Sequence, residues 1–225
     1  MVTLVLFDID GTLVQTGRAG VRGMNRAFAD LFGAPDALDG VPVAGRTDRA
    51  IVSEALRRIG QPAEPGTISR VRDEYCRRLP EALADPASRP MGVLPGVQDL
   101  LTALEARPDV VIGLLTGNFA AGAALKLGHF DLWERFPFGA FGDDHTERRA
   151  LVPVAVAEAA QRGHASFTPD RIVVVGDTPL DVDCAQAHGA RAIAVATGMY
   201  SEDVLRATGA DLTVPTLTAV PPDWF

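Results

Sequence analysis

Asp8 and Asp10 flank a single residue at the end of an apolar run, and Gly11-Thr12 follow them directly. Residues i and i+2 of an extended segment point the same way, so both carboxylates can face one site. A pair so placed can divide the work, one as nucleophile and the other as general acid and base. Gly11 lets the backbone turn sharply at that point without a Cβ clash. A second apolar run ends in Val175-Gly176-Asp177-Thr178-Pro179-Leu180-Asp181, and a third in Leu115-Thr116-Gly117-Asn118. Four clustered aspartates repel one another, and burying any of them unpaired costs several kcal/mol. A divalent cation among them removes that cost, and hard oxygen donors of this kind suit Mg²⁺ together with waters and a phosphate. Taken singly, each aspartate can instead cap a helix, Asp181 above all.

The elements that would carry these residues are legible in the hydropathy pattern. Val2–Phe7, Val110–Leu115, Ile172–Val175 and Ala192–Ala196 are continuous rather than alternating apolar runs. That pattern marks strands buried on both faces, as in a parallel sheet covered by helices. A weaker strand is expected at Asp211–Val214, and helices at Val97–Glu105, Asn118–Leu127, Glu147–Gln161 and Leu180–His188. Strand alternating with helix predicts an α/β fold, a Rossmann-like three-layer parallel sheet core with right-handed crossovers. Ligands of such sheets bind beyond the carboxyl ends of the strands, where the aspartates and Thr116 fall. About a hundred residues separate the first strand from the second, more than one crossover needs. Helical periodicity at Arg18–Phe32, Asp48–Ile59 and Thr67–Ala84 predicts an inserted small α-helical cap domain over 15–90. The core domain is then 1–14 and 91–225, with linkers at Val14–Gly17 and Asp85–Pro95.

Asp8-Ile9-Asp10-Gly11-Thr12-Leu13 resembles the first motif, DxDGT, of the haloacid dehalogenase-like hydrolase superfamily. Thr116-Gly117-Asn118 is similar to its second motif and Gly176-Asp177-Thr178-Pro179-Leu180-Asp181 to its fourth, GDxxxD, in the family's order. The helical insert resembles its C1-type cap, so the likeness spans essentially the whole chain. The resemblance implies that Asp8 attacks phosphorus to form an aspartyl-phosphate. Asp10 would protonate the leaving oxygen and then activate water. It implies Mg²⁺ held by Asp8, the backbone carbonyl of Asp10 and Asp177, with Asp181 direct or through water, and phosphoryl oxygens bound by Thr116 and by N–H groups near Gly11, Gly117 and Asn118. The family's third motif is usually a lysine at the start of the helix before the GDxxxD strand. Lys126 is the sole lysine and lies on the helix after Thr116, so the role passes to an arginine, Arg148 or Arg149, with Arg148 the better placed.

Within the family the chain resembles, dehalogenases lack the second aspartate of the first motif, so Asp10 implies phosphate chemistry. The reading is a Mg²⁺-dependent phosphatase acting on a small phosphorylated metabolite. A phosphomutase of the beta-phosphoglucomutase type, or a catalytically idle ligand-binding relative, is the alternative. Ala44-Gly45-Arg46-Thr47-Asp48 resembles a cap segment of phosphoglycolate phosphatase-like members. It either sets Arg46 and Thr47 over an anionic substrate or forms an ordinary helix N-cap.

Composition bounds the rest. The 225 residues carry 21 basic against 29 acidic side chains, a formal charge of −8. That balance argues against nucleic acid or an anionic membrane as partner. Two cysteines, Cys76 and Cys184, are too few for a disulfide framework. The short apolar N-terminus lacks a basic leader and reads as a strand, so the chain is expected to be cytoplasmic, as a monomer or homodimer. His129, His145, His164 and His188 show no metal-pair spacing.

Overall fold

The computed structural model describes residues 2–85, 90–164, 166–221 and 223–225. The run at the N-terminus forms β1 (Thr3–Phe7), every residue of it buried. It is the centre of a parallel sheet with β4 (Val110–Leu115), β5 (Gly139–Ala140), β6 (Ile172–Gly176), β7 (Arg191–Val195) and β8 (Leu212–Val214), in the order β5-β4-β1-β6-β7-β8. Side-chain alternation sends Val5, Phe7 and Ile9 into one apolar layer and Leu4 and Leu6 into the other. Both faces therefore need cover, which explains the unbroken apolar runs. Helices α4 (Val97–Glu105) and α5 (Ala120–His129) flank β4, and α6 (Leu151–Gln161) and α7 (Pro179–Gln186) flank β6. The chain leaves β1 toward β4 on one side and later returns to β6 on the other. The switch point of the sheet is thus the carboxyl end of β1.

Register brings three strand ends level. Phe7 pairs with both Leu114 and Val175, so Asp8, Thr116 and Asp177 leave the sheet at one edge. Asp8 N–H donates to Val175 O at 2.9 Å, and Thr116 N–H to Ala140 O at 3.0 Å.

Three helices lie between the first and second strands of the large sheet: α1 (Ala19–Phe32), α2 (Asp48–Arg58) and α3 (Pro65–Ala84). They bury a cluster of their own that includes Phe28, Leu56 and Leu79 and takes in Phe119 from the core side. The expected linkers need correcting. Val14–Thr16 (β2) and Met91–Val93 (β3) pair antiparallel as a ribbon at the base of the three helices. Strands of three residues are too short to show a period in sequence. Residues 86–89 of the second expected linker lie outside the described residues. β5 and the short α8 (Glu202–Arg206) went unforeseen for the same reason of length. Among the described residues no helix is long and apolar enough to cross a membrane.

Candidate active site

A cavity of about 490 Å³ opens over the carboxyl edge of β1, β4 and β6 and is roofed by the three-helix layer. Of the residues expected to act, Asp8, Asp10, Gly11, Arg46, Thr116, Gly117, Asn118, Arg148 and Asp177 border it. Thr47 and Asp181 do not. Thr47 corrects to a structural cap: its Oγ1 accepts from Ala50 N–H at the start of α2 and donates to Thr146 O, fully buried. Arg46 borders the cavity, but its Nη1 is held by Glu54 at 2.8 Å and by Pro42 O at 2.9 Å.

Asp8, Asp177 and Asp181 are buried and can offer oxygens all within 4.8 Å of one another. Burial raises Asp8 to about 6, against the pull of Arg148 and with the help of Asp181 and Asp10. Burial also drives Asp177 well above the usual carboxylate range, with Asp181 and Asp8 adding to the shift. The trio is thus short of positive charge. A Cβ on Gly11 would lie 2.4 Å from Asp177 Oδ2, and one on Gly198 only 1.7 Å away, so the backbone is kept clear around that carboxylate. Gly11 also has φ +81°, a conformation glycine adopts freely. Three hard oxygen donors in a cleared, charge-deficient pocket fit a divalent metal ion.

Arg148 is the cation of this half of the site. Its Nη2 lies 3.1 Å from Asp8 Oδ1 and 2.5 Å from Asp181 Oδ1, and its Nη1 donates to Gly45 O at 3.0 Å. Burial opposes its charge, yet Asp181 and Asp8 hold the guanidinium protonated above its ordinary value. Its buried Nε has no partner among the described residues. Arg149 points elsewhere, is largely exposed and pairs with Asp183. Asp181 closes a capping box at the start of α7 with Thr178 while holding Arg148.

Asp10 faces different neighbours. Its carboxylate accepts from Lys126 Nζ at 2.5 Å, Asn118 Nδ2 at 3.0 Å and Thr16 Oγ1 at 3.3 Å. Burial alone would raise it, but the Lys126 ammonium and these donors hold it below its ordinary value. Lys126 thus leaves the place beside Asp8 to Arg148, as expected, but has a place at Asp10 that the sequence reading did not give it. It is buried, and it borders the same cavity. The missed signal is a lone charge on the otherwise apolar Ala120-Ala121-Gly122-Ala123-Ala124-Leu125-Lys126-Leu127. Helical side chains lean toward the N-terminus, which on α5 is the end of β4. Asp48, buried at the start of α2, accepts from Phe119 N–H at 2.8 Å; burial pushes it up to about 7 despite Lys126 and that bond. Tyr75 of α3 is also walled in here, its hydroxyl without a partner among the described residues.

The chain is similar over most of its length to known proteins. The chain spans 66% of the length of the tyrosine-protein kinase PtkA of Mycobacterium tuberculosis, with 30% identity over 212 residues that cover 91% of this chain. The phosphoglycolate phosphatase of Cereibacter sphaeroides is 28% identical over 187 residues, 83% of this chain and 82% of that protein. That of Rhodospirillum rubrum is 27% identical over 214 residues, 92% of this chain and 84% of that protein. Among solved structures, CbbY from Rhodobacter sphaeroides in complex with phosphate superposes with a TM-score of 0.71 at 20% identity, covering 97% of this chain and 96% of its own. The family description "haloacid dehalogenase-like hydrolase" matches residues 5–195, and to that family the chain belongs.

Proposed function

We propose that the protein is a Mg²⁺-dependent phosphatase of a small phosphorylated metabolite, working through an aspartyl-phosphate on Asp8. The observation that carries this is the division between the two aspartates of the first motif. Asp8 sits with Asp177, Asp181 and Arg148, while Asp10, two residues on, is held apart by Lys126 and Asn118. One carboxylate thus stands among the acids that can hold a cation and the other, kept out of that trio by its own donors, is left for proton transfer.

Asp8 attacks phosphorus in line with the ester oxygen; the P–O bond to the leaving group breaks, and that oxygen takes a proton from Asp10. A phosphoryl dianion beside Asp10 raises its proton affinity and counters Lys126, so the proton is available at that moment. Asp10, now a carboxylate, then takes a proton from water, whose oxygen displaces Asp8 and releases phosphate. Arg148, with its unpartnered Nε, and the Thr116 hydroxyl supply fixed donors for the phosphoryl oxygens, where charge stabilisation counts most. Asp8, the Asp10 carbonyl, Asp177 and Asp181 would hold Mg²⁺. When bound, it neutralises the carboxylates and the phosphoryl oxygens.

Likeness to phosphoglycolate phosphatases favours phosphoglycolate within this class, whereas Arg46, tied to Glu54 and Pro42, lends it no free cation. A second reading, transfer of the phosphoryl group to an acceptor hydroxyl, is favoured by likeness to a kinase. The test is release of p-nitrophenol from p-nitrophenyl phosphate with Mg²⁺, with and without an added alcohol acceptor. Activity abolished by EDTA and in Asp8→Asn is expected. Full activity in Asp8→Asn, or none on any phosphoester panel, overturns the reading, and alcohol-dependent turnover replaces hydrolysis with transfer.

A further inference from the structure

Lys126 makes two contacts that together fix the direction of every hydrogen bond around it. An ammonium only donates, and a carboxylate only accepts. Lys126 Nζ lies 2.6 Å from Asn118 Oδ1, so this amide must present its oxygen to the lysine and its NH₂ to the opposite side. There Asn118 Nδ2 meets Asp10 Oδ2 at 3.0 Å and Thr116 Oγ1 at 2.8 Å. Thr116 Oγ1 accepts a second bond from Asn118 N–H at 3.3 Å. A threonine hydroxyl has two acceptor positions and one proton. Both acceptor positions are filled, and the proton has no acceptor among the described residues. Thr116 borders the cavity and is otherwise fully buried.

We propose that Lys126 is a positioning residue that sets the hydrogen-bond polarity of the site, orienting Asp10 directly and, through Asn118, turning the Thr116 hydroxyl into an obligate donor to a phosphoryl oxygen. Without a donor-only group at Lys126, only Asp10 Oδ2 still holds the Asn118 NH₂ on this side, and a protonated Asp10, the form that acts as acid, no longer demands a donor, so the amide can turn over. Its oxygen would then face Thr116, whose proton would be spent on it and lost to the ligand. The room for the ammonium comes from α1: a Cβ on Gly20 would stand 3.2 Å from Nζ, so a glycine there leaves the lysine its place. The inference deepens the phosphatase reading, yet its test needs no turnover.

The test is a double-mutant cycle on the affinity of orthovanadate, a phosphoryl mimic, measured by calorimetry with Mg²⁺. Lys126→Met and Thr116→Val should each weaken vanadate by about tenfold or more, the loss of one or two hydrogen bonds to a charged ligand. Because one acts through the other, the double variant should bind within about twofold of Thr116→Val alone. Asn118→Asp, which cannot donate to Thr116, should behave like Lys126→Met; Lys126→Arg, still donor-only, should recover part of the loss. Multiplicative losses in the cycle, or an unaffected Lys126→Met, overturn the proposal. Tight vanadate binding with the expected coupling but no hydrolysis of any phosphoester would sink the phosphatase reading alone.

Discussion

At the scale of single residues, the two arginines in the short 3₁₀ turn that leads into α6 are chemically identical and differ only in surroundings. Arg148 is 6% exposed and bridges Asp8, Asp181 and the loop at Gly45; Arg149 sits in solvent beside Asp183. Removing one partner of a buried ion pair costs roughly 3–5 kcal/mol, because the other charge stays buried alone. Removing a donor aimed at developing charge costs about 10²–10³ in rate. Arg148→Ala should show both losses, in a thermal melt and in p-nitrophenyl phosphate turnover, while Arg149→Ala should track the wild type in each. The reverse ranking would reassign the active-site cation. Sequence reasoning could reduce the choice to these two arginines, since one lysine, in another segment, left the position to them. It could not see Asn118 as the link between Lys126 and Thr116, because hydrogen-bond direction has no period or composition.

At the scale of elements, the loops after β4 and β6 meet the segment that leads into α2, and glycine makes the contact close. A Cβ on Gly117 would lie 2.1 Å from Arg46 O, and Gly117 O accepts from Asp48 N–H at 2.7 Å. Backbone meets backbone here, so no side chain can yield to make room. Gly117→Ala must lift the Arg46–Asp48 segment off the mouth of the cavity. We expect kcat/KM for p-nitrophenyl phosphate to fall about tenfold with the circular dichroism spectrum unchanged, since closure of a roof over a site is what orients the substrate. Unchanged kinetics would mean that this seat is dispensable. The strands and long helices were readable because their apolar patterns extend over many residues. The ribbon of β2 and β3 was not, since its pairing joins segments that are far apart in the chain.

At the scale of the whole molecule, the three-helix layer and the sheet meet across a buried acid. Asp48, 7% exposed, comes from one side, and its acceptor role is toward Phe119 N–H on the other. Its carboxyl titrates at about 7 in the folded protein, against 3.8 for the free group, chiefly through burial. The folded state therefore binds the proton more tightly than the unfolded state. The stabilisation is complete below the unfolded value and is lost as pH rises toward about 7, by up to about 4 kcal/mol. Asp48→Asn keeps an oxygen for Phe119 N–H but has no charge to bury. Its thermal midpoint should gain on the wild type between pH 5 and pH 8. A gap that stays constant over that range would show that Asp48 does not carry the dependence.

The amino-acid order alone was enough to place Asp8, Thr116 and Asp177 at one edge. Short continuous apolar runs closed by Gly, Asp or Thr fit strands buried on both faces of a parallel sheet, and ligands of such sheets bind beyond the strands' carboxyl ends. It was also enough to set a long helical stretch between the first two strands of the sheet. What the tertiary structure decided was which partner each acid receives. Asp8 goes to Arg148, Asp10 to Lys126 and Asn118, and Asp48 to Phe119. Those pairings depend on distances of a few ångströms between segments up to 140 residues apart, from Asp8 to Arg148. No local pattern encodes them, because they exist only once the helical layer and the sheet have packed.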